Sequence, residues 1–142
     1  MFTLSSKHKI AACTAFSVFC FYVLIQFAVA ARVLPVTILW VGVYDDWTPQ
    51  LALASLLGAA ILLGMSYVIH QRAYRSDPSR TIRVLAWVVA TYMLLNTAGN
   101  LASKTVIERY VSGSLTAIAS VASFIVASNS PSSGEYLDIP DQ

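Results

Sequence analysis

Polar and apolar residues are segregated along this chain into long blocks: residues 10–31, 48–71, 84–103 and 110–134 contain no Asp, Glu, Lys or Arg. A helix needs roughly 20 apolar residues to cross the hydrocarbon core of a bilayer, so each block can hold one crossing. The pattern predicts an all-α, integral membrane, up-and-down four-helix bundle over residues 1–127, with helices at about 9–34, 49–70, 79–102 and 105–127. Residues 128–142 are acidic, rich in Ser and Pro, and lack a periodic apolar face, which predicts a disordered cytoplasmic tail.

The expected boundaries rest on local chemistry. Pro35 ends the first helix, because its ring forbids continuation and biases Leu34 toward extended backbone. Residues 36–44 are apolar but too short to span; with Trp40, Tyr44 and Trp47 they are expected to lie at headgroup depth. Thr48-Pro49 is a helix-start signal, since Thr accepts from a free N–H and Pro sits where no donor is needed. Ser76-Asp77-Pro78 repeats it before the third helix. Few residues separate the third and fourth spans, so those two should be antiparallel neighbours. Ala28-Val29-Ala30 resembles a signal-peptide cleavage site, but the apolar run from Ile10 exceeds the roughly 7–15 residues of a signal core, and a retained first helix is expected.

Composition fits lipid as the solvent: 57% of the chain is hydrophobic and only 11% charged, against about 25% charged in globular domains. The formal charge of +2 is too small and scattered for nucleic acid. Lys7, Lys9, Arg72, Arg75, Arg80 and Arg83 fall at one end of the expected bundle. Arg32, Lys104 and Arg109 fall at the other, beside Asp45, Asp46 and Glu108. Positive flanks stay cytoplasmic, so both termini are expected in the cytoplasm.

Ser112, Gly113, Thr116, Ala117, Ser120 and Ser123 recur at helical spacing, the kind of small-residue surface that lets membrane helices approach closely. Gly113, Ala117 and Ser120 are the expected packing residues. The second span repeats the idea with Ala54, Gly58 and Ile61 beside Ser55, Ala59 and Leu62. Such surfaces suit a membrane-protein partner or a second copy of the chain as readily as the chain's own helices.

The polar constellation with most promise is on the third helix, where Tyr92, Asn96, Asn100 and Ser103 share a face. A carboxamide in hydrocarbon must find partners, so this face is either a clamp between helices or the wall of a pocket. Lys104, Glu108, Arg109 and Asp46 would surround its mouth, with Lys104 and Glu108 spaced to pair on the helix surface. The candidate binding set is therefore Tyr92, Asn96, Asn100, Glu108, Arg109 and Asp46. Gln26 is a further sizeable polar side chain at depth.

Other chemistry is thin. His8 and His70 should stand at the cytoplasmic ends of neighbouring helices, a minimal frame for haem or a metal, but no further ligands accompany them. Cys13 and Cys20 lie about 10 Å apart along one helix face, too far to bridge, and are expected to be buried thiols. No ionisable residue lies deep in a span, which argues against a proton-coupled pump. No phosphate-binding glycine loop, zinc-protease or serine-hydrolase motif occurs. No catalytic residue, metal site or cofactor is expected.

The run Leu95-Asn96-Thr97-Ala98-Gly99-Asn100-Leu101-Ala102-Ser103-Lys104, with Glu108-Arg109, resembles a hairpin of uncharacterised small four-span bacterial membrane proteins. That resemblance implies a bacterial inner-membrane protein and carries no activity, substrate or cofactor. The resulting expectation is a non-enzymatic accessory or helix-packing subunit. The alternatives are a small neutral-solute transporter or channel-like protein using the polar face, and then a membrane-embedded enzyme or haem carrier.

Overall fold

The computed structural model describes residues 6–39, 46–75 and 77–128. Within them the chain forms α1 (Ser6–Ala30), a single 3-10 turn (Val36–Ile38), α2 (Pro49–Tyr74), α3 (Arg80–Ala102), and a π-wound segment (Ile107–Ser112) that runs into α4 (Gly113–Ala127). No strand occurs among the described residues. Four helical stretches are long and apolar enough to cross a membrane: α1 from Lys7, α2, α3, and Ile107–Ala127. The expected tail after Ser128, together with Trp40, Tyr44 and Asp45, lies outside the described residues.

Several helix ends differ from expectation: α1 begins at Ser6, not Lys9, and the fourth stretch at Ile107, not Thr105. α1 stops at Ala30 rather than Leu34, because Arg32 adopts a left-handed backbone (φ 63°) and the chain closes with Val33 N–H on Ala28 O (2.8 Å) and Arg32 N–H on Val29 O (3.1 Å). Those two bonds are the glycine-type helix stop, here made with arginine. A non-glycine residue there costs of order 1 kcal/mol or more. Trp47 helps offset it: its Nε1 donates to Ala30 O at 3.1 Å, and the Arg32 guanidinium carbon lies 3.7 Å from the centre of its ring.

α2 runs on to Tyr74, so Arg72 belongs to the helix and not to the connection. Its side chain is buried and donates from Nη2 to Ala127 O at 3.3 Å, meeting the last carbonyls of α4, which a cation stabilises. For α3 the cap is Ser79, whose Oγ accepts from Ile82 N at 3.3 Å; Ser76 lies outside the described residues. Thr48 caps α2 as expected, accepting from Leu51 N at 3.1 Å.

α1 packs most extensively on α2, and α3 on α4; α1 also meets α4, whereas α2 and α3 touch over a much smaller surface. The buried face is unlike that of a water-soluble protein. It is built of Ala11, Ala15, Ala59, Ala86, Ala90, Ala119 and Ala122, with Ser66, Ser120 and Ser123, around a few larger side chains such as Phe19, Ile69 and Met93. Leu24, Leu53, Ile61, Leu95 and Val121 point outward and are more than half exposed. Small residues inside and large apolar residues outside suit lipid, where association comes from close packing and not from expelling water. Cys13 joins the outward set and is exposed, contrary to the expected burial, while Cys20 is half-buried; both are free thiols.

Candidate functional site

The main core cluster closes the end of the bundle that carries the α2–α3 connection. At the other end α2 and α3 part, leaving a cavity of ≈ 450 Å³ lined by all four helices. Three of the expected binding residues on α3, Tyr92, Asn96 and Asn100, border it, as does Glu108 from the π-wound segment. Asp46 is exposed and does not border it. Nor does Arg109, whose Nε and Nη2 both donate to Ser103 O at 3.0 and 2.7 Å.

Hydrogen bonds join the polar wall into a chain. Asn100 Nδ2 donates to Asn96 Oδ1 at 3.2 Å and to Thr116 Oγ1 at 3.3 Å. The Thr116 hydroxyl donates to Ser112 O at 2.8 Å, and Tyr22 Oη donates to the same carbonyl from α1 at 3.4 Å. Asn100 thus connects α3 to α4, whereas Asn96 bonds only within its own helix. The two asparagines, equivalent by spacing, have different jobs.

Glu108 is fixed by the turn and not by Lys104. The Ser103 hydroxyl donates to its Oε2, and Thr105 Oγ1 does so at 3.0 Å. Thr105 and Glu108 have the spacing of a helix-start box, which places this carboxylate at the positive end of the fourth helical stretch. The stretch begins in π winding, with Gly113 N–H reaching Glu108 O. Nothing in the apolar periodicity signals that winding; π turns are rare and recur at functional sites.

The α1 side of the cavity is what the sequence reading left out of the candidate set. Tyr22 and Gln26 are four apart and share a helix face, a spacing visible in the sequence. Gln26 lies over Gly58 so closely that a Cβ there would come within 2.9 Å of its Nε2. Gln26 Oε1 is buried and has no hydrogen-bond partner among the described residues.

Of the expected packing residues, Gly113 and Ser120 are buried and Ala117 is half-buried. A Cβ on Gly113 would meet Leu101 Cδ2 at 2.9 Å, so α3 approaches α4 closely there. The buried stripe of α4 is centred on Thr116, Ala119, Ser120 and Ser123, so these small residues serve contacts within the chain.

A second cavity, of ≈ 300 Å³, is lined by Ala12, Cys13, Phe16, His70 and Tyr74. Cys13 Sγ lies 3.4 Å from Tyr74 Oη, and the His70 and Tyr74 ring centres are 4.8 Å apart. His8 is not part of this lining. Among the described residues no group of three or more His, Cys, Asp or Glu is placed to hold a metal. Comparison with protein-family models, with curated proteins and with solved structures finds no match.

Proposed function

We propose that this chain is a multi-pass integral protein of a bacterial inner membrane, with both termini cytoplasmic, that binds a small uncharged molecule in the α2–α3 cleft without catalysing its conversion. The observation that carries the reading is the ≈ 450 Å³ cavity in which amide and hydroxyl groups from α1, α3 and α4 converge against an apolar wall from α2. An apolar enclosure of about 300–1,000 Å³ with a few converging polar groups is the usual make-up of a small-ligand site. Tyr92, Asn96, Asn100 and Glu108 contact the ligand in this reading, and Arg109 holds the turn that carries Glu108. Asp46 stands outside it. Gly113, Ala117 and Ser120 seat α4 on its neighbours.

The test compares thermal stability of the purified wild type and Asn96→Ala across a panel of small polar solutes. A binding role predicts that at least one solute stabilises the wild type and loses that effect in the variant, because only folded protein binds it. A panel without effect on the wild type, together with a large loss of stability in Asn96→Ala, would leave Asn96 as a structural residue and remove the reading.

A second reading, an accessory subunit that packs against a partner or another copy, has one observation in its favour. Ala60 and Gly64 of α2 are four apart and exposed, and nothing lies within 4 Å of a Cβ placed on Gly64. Paired small residues of that spacing allow close helix approach. In this reading Gly64→Leu abolishes cross-linked species in membranes; unchanged cross-linking would remove it.

A further inference from the structure

The walls of the cleft are unequal in a way that narrows what fits it. On α2 the lining includes Leu57, Ile61, Leu62 and Met65 and offers no side-chain hydrogen-bonding group. The polar lining, Gln26, Asn96, Asn100, Glu108 and Ser112, gathers toward the end where α3 turns into α4. The cleft also opens sideways: Ile61 on one edge is 59% exposed and Tyr92 on the other 49%. In a membrane those edges face acyl chains.

The hydrogen-bond inventory is unequal too. Asn100 spends its amide N–H groups on Asn96 and Thr116, and the hydroxyls of Thr116 and Tyr22 are spent on Ser112 O. Gln26 Oε1, held over Gly58, has no partner among the described residues but is itself fully buried and closed to an occupant. The Glu108 carboxylate offers acceptor capacity. The Asn96 amide N–H groups and the Tyr92 hydroxyl donate to no partner among the described residues, so an occupant must both donate and accept. Phosphate is a poor match, since the lining holds a carboxylate and no Lys or Arg. A hydroxyl head continues the pattern already set at Glu108, whose Oε2 accepts from the Ser103 and Thr105 hydroxyls. A small polyol would satisfy the acceptors but leave the α2 wall uncovered.

Resting on the reading of the cleft as a ligand site, we propose that its occupant is an amphiphile with one apolar chain and a neutral, hydroxyl-bearing head. It enters sideways from the bilayer between α2 and α3. The chain lies along Leu57, Ile61 and Met65, and the hydroxyl head donates to Glu108 and accepts from the Asn96 amide.

The experiment uses the full chain in phosphatidylcholine nanodiscs and a monoacylglycerol carrying a diazirine in its acyl chain. Labelling should be saturable, should map to residues 57–65 and 92–96, and should be displaced by unlabelled monoacylglycerol but not by lysophosphatidic acid of the same chain or by glycerol. Ile61→Trp, placed at an exposed edge where the fold tolerates bulk, should lower saturable labelling about tenfold or more while the thermal transition stays in place. Displacement by lysophosphatidic acid as effective as by monoacylglycerol would overturn the head-group assignment. Protection by glycerol alone would overturn the amphiphile and leave a cleft for small solutes. Labelling that is non-saturable, spread over all lipid-facing helices and unchanged in Ile61→Trp would overturn the amphiphile and, if the solute panel is also silent, the cleft itself.

Discussion

At the end of the bundle that carries the α2–α3 connection, Ala12, Ala15, Phe19, Ile69, Ala73, Ala86, Ala90, Ala122 and Val126 bring all four helices onto one another. At the opposite end, among the described residues, only Val29, Val36 and Leu51 form a buried apolar cluster, confined to α1, α2 and the turn between them. Polar side chains behave differently in the two regions. Ser66 and Ser123 in the closed half are buried, and their hydroxyls have no partner among the described residues. Asn100, Thr116 and Tyr22 in the open half form a continuous hydrogen-bonded chain. Serine in the closed half is there for its size; polar groups in the open half are there for their bonds. Where helices can close, smallness suffices, and where they part, polar groups must hold one another or a ligand.

Substitutions that attack this contrast should rank accordingly. The largest effect is expected from Phe19→Ala, which empties the centre of the closed half and should cost about 2–3 kcal/mol, below the usual 3–5 because lipid, not water, receives the exposed chain. Denaturant titration in mixed micelles measures it. Arg72→Met should follow at about 1.5–3 kcal/mol, since it removes a charged donor from the α4 terminus. If that variant were neutral, the terminus would not depend on Arg72 for its cap.

Asn100→Ala should cost about 1 kcal/mol, from one interhelical hydrogen bond at about 0.6 and a weaker one within α3. Asn96→Ala should cost less than half of that, because its bond stays within α3. Equal losses in the two variants would erase the division between clamp and site. The smallest effect should be Ser123→Ala, within about 0.5 kcal/mol of wild type, as no hydrogen bond is lost. A loss as large as that of Asn100→Ala would contradict the size argument for the closed half.

Much of the fold was legible because a helix fit to cross a membrane must be free of charge along the length that crosses, and the four charge-free blocks correspond to the four helical stretches long and apolar enough to do so. The Thr48 cap was read from its proline. Arg72 was assigned to the connection because the positive-flank rule sorts charges by sequence, whereas the Ala127 carbonyl that accepts from it lies in another helix. The π winding at Ile107–Ser112 left no trace in apolar periodicity. In the candidate site the α3 face was legible from period alone, and Tyr22 with Gln26 would have been found by the same test on α1. Gly58 was not, since its role is to make room for a side chain from another helix.

The central claim, that all four helices close on one another around Ser123 while α2 and α3 part at Asn96, is tested most directly by reactivity of two matched thiols in a Cys13→Ser, Cys20→Ser background. Asn96→Cys borders the cavity and Ser123→Cys is buried in the closed half. With the protein in a bilayer and a small water-soluble methanethiosulfonate reagent, Asn96→Cys should react readily and be slowed by adding Ile61→Trp, while Ser123→Cys stays inert. Equal reaction rates at the two positions, or an inert Asn96→Cys beside a reactive Ser123→Cys, would contradict it.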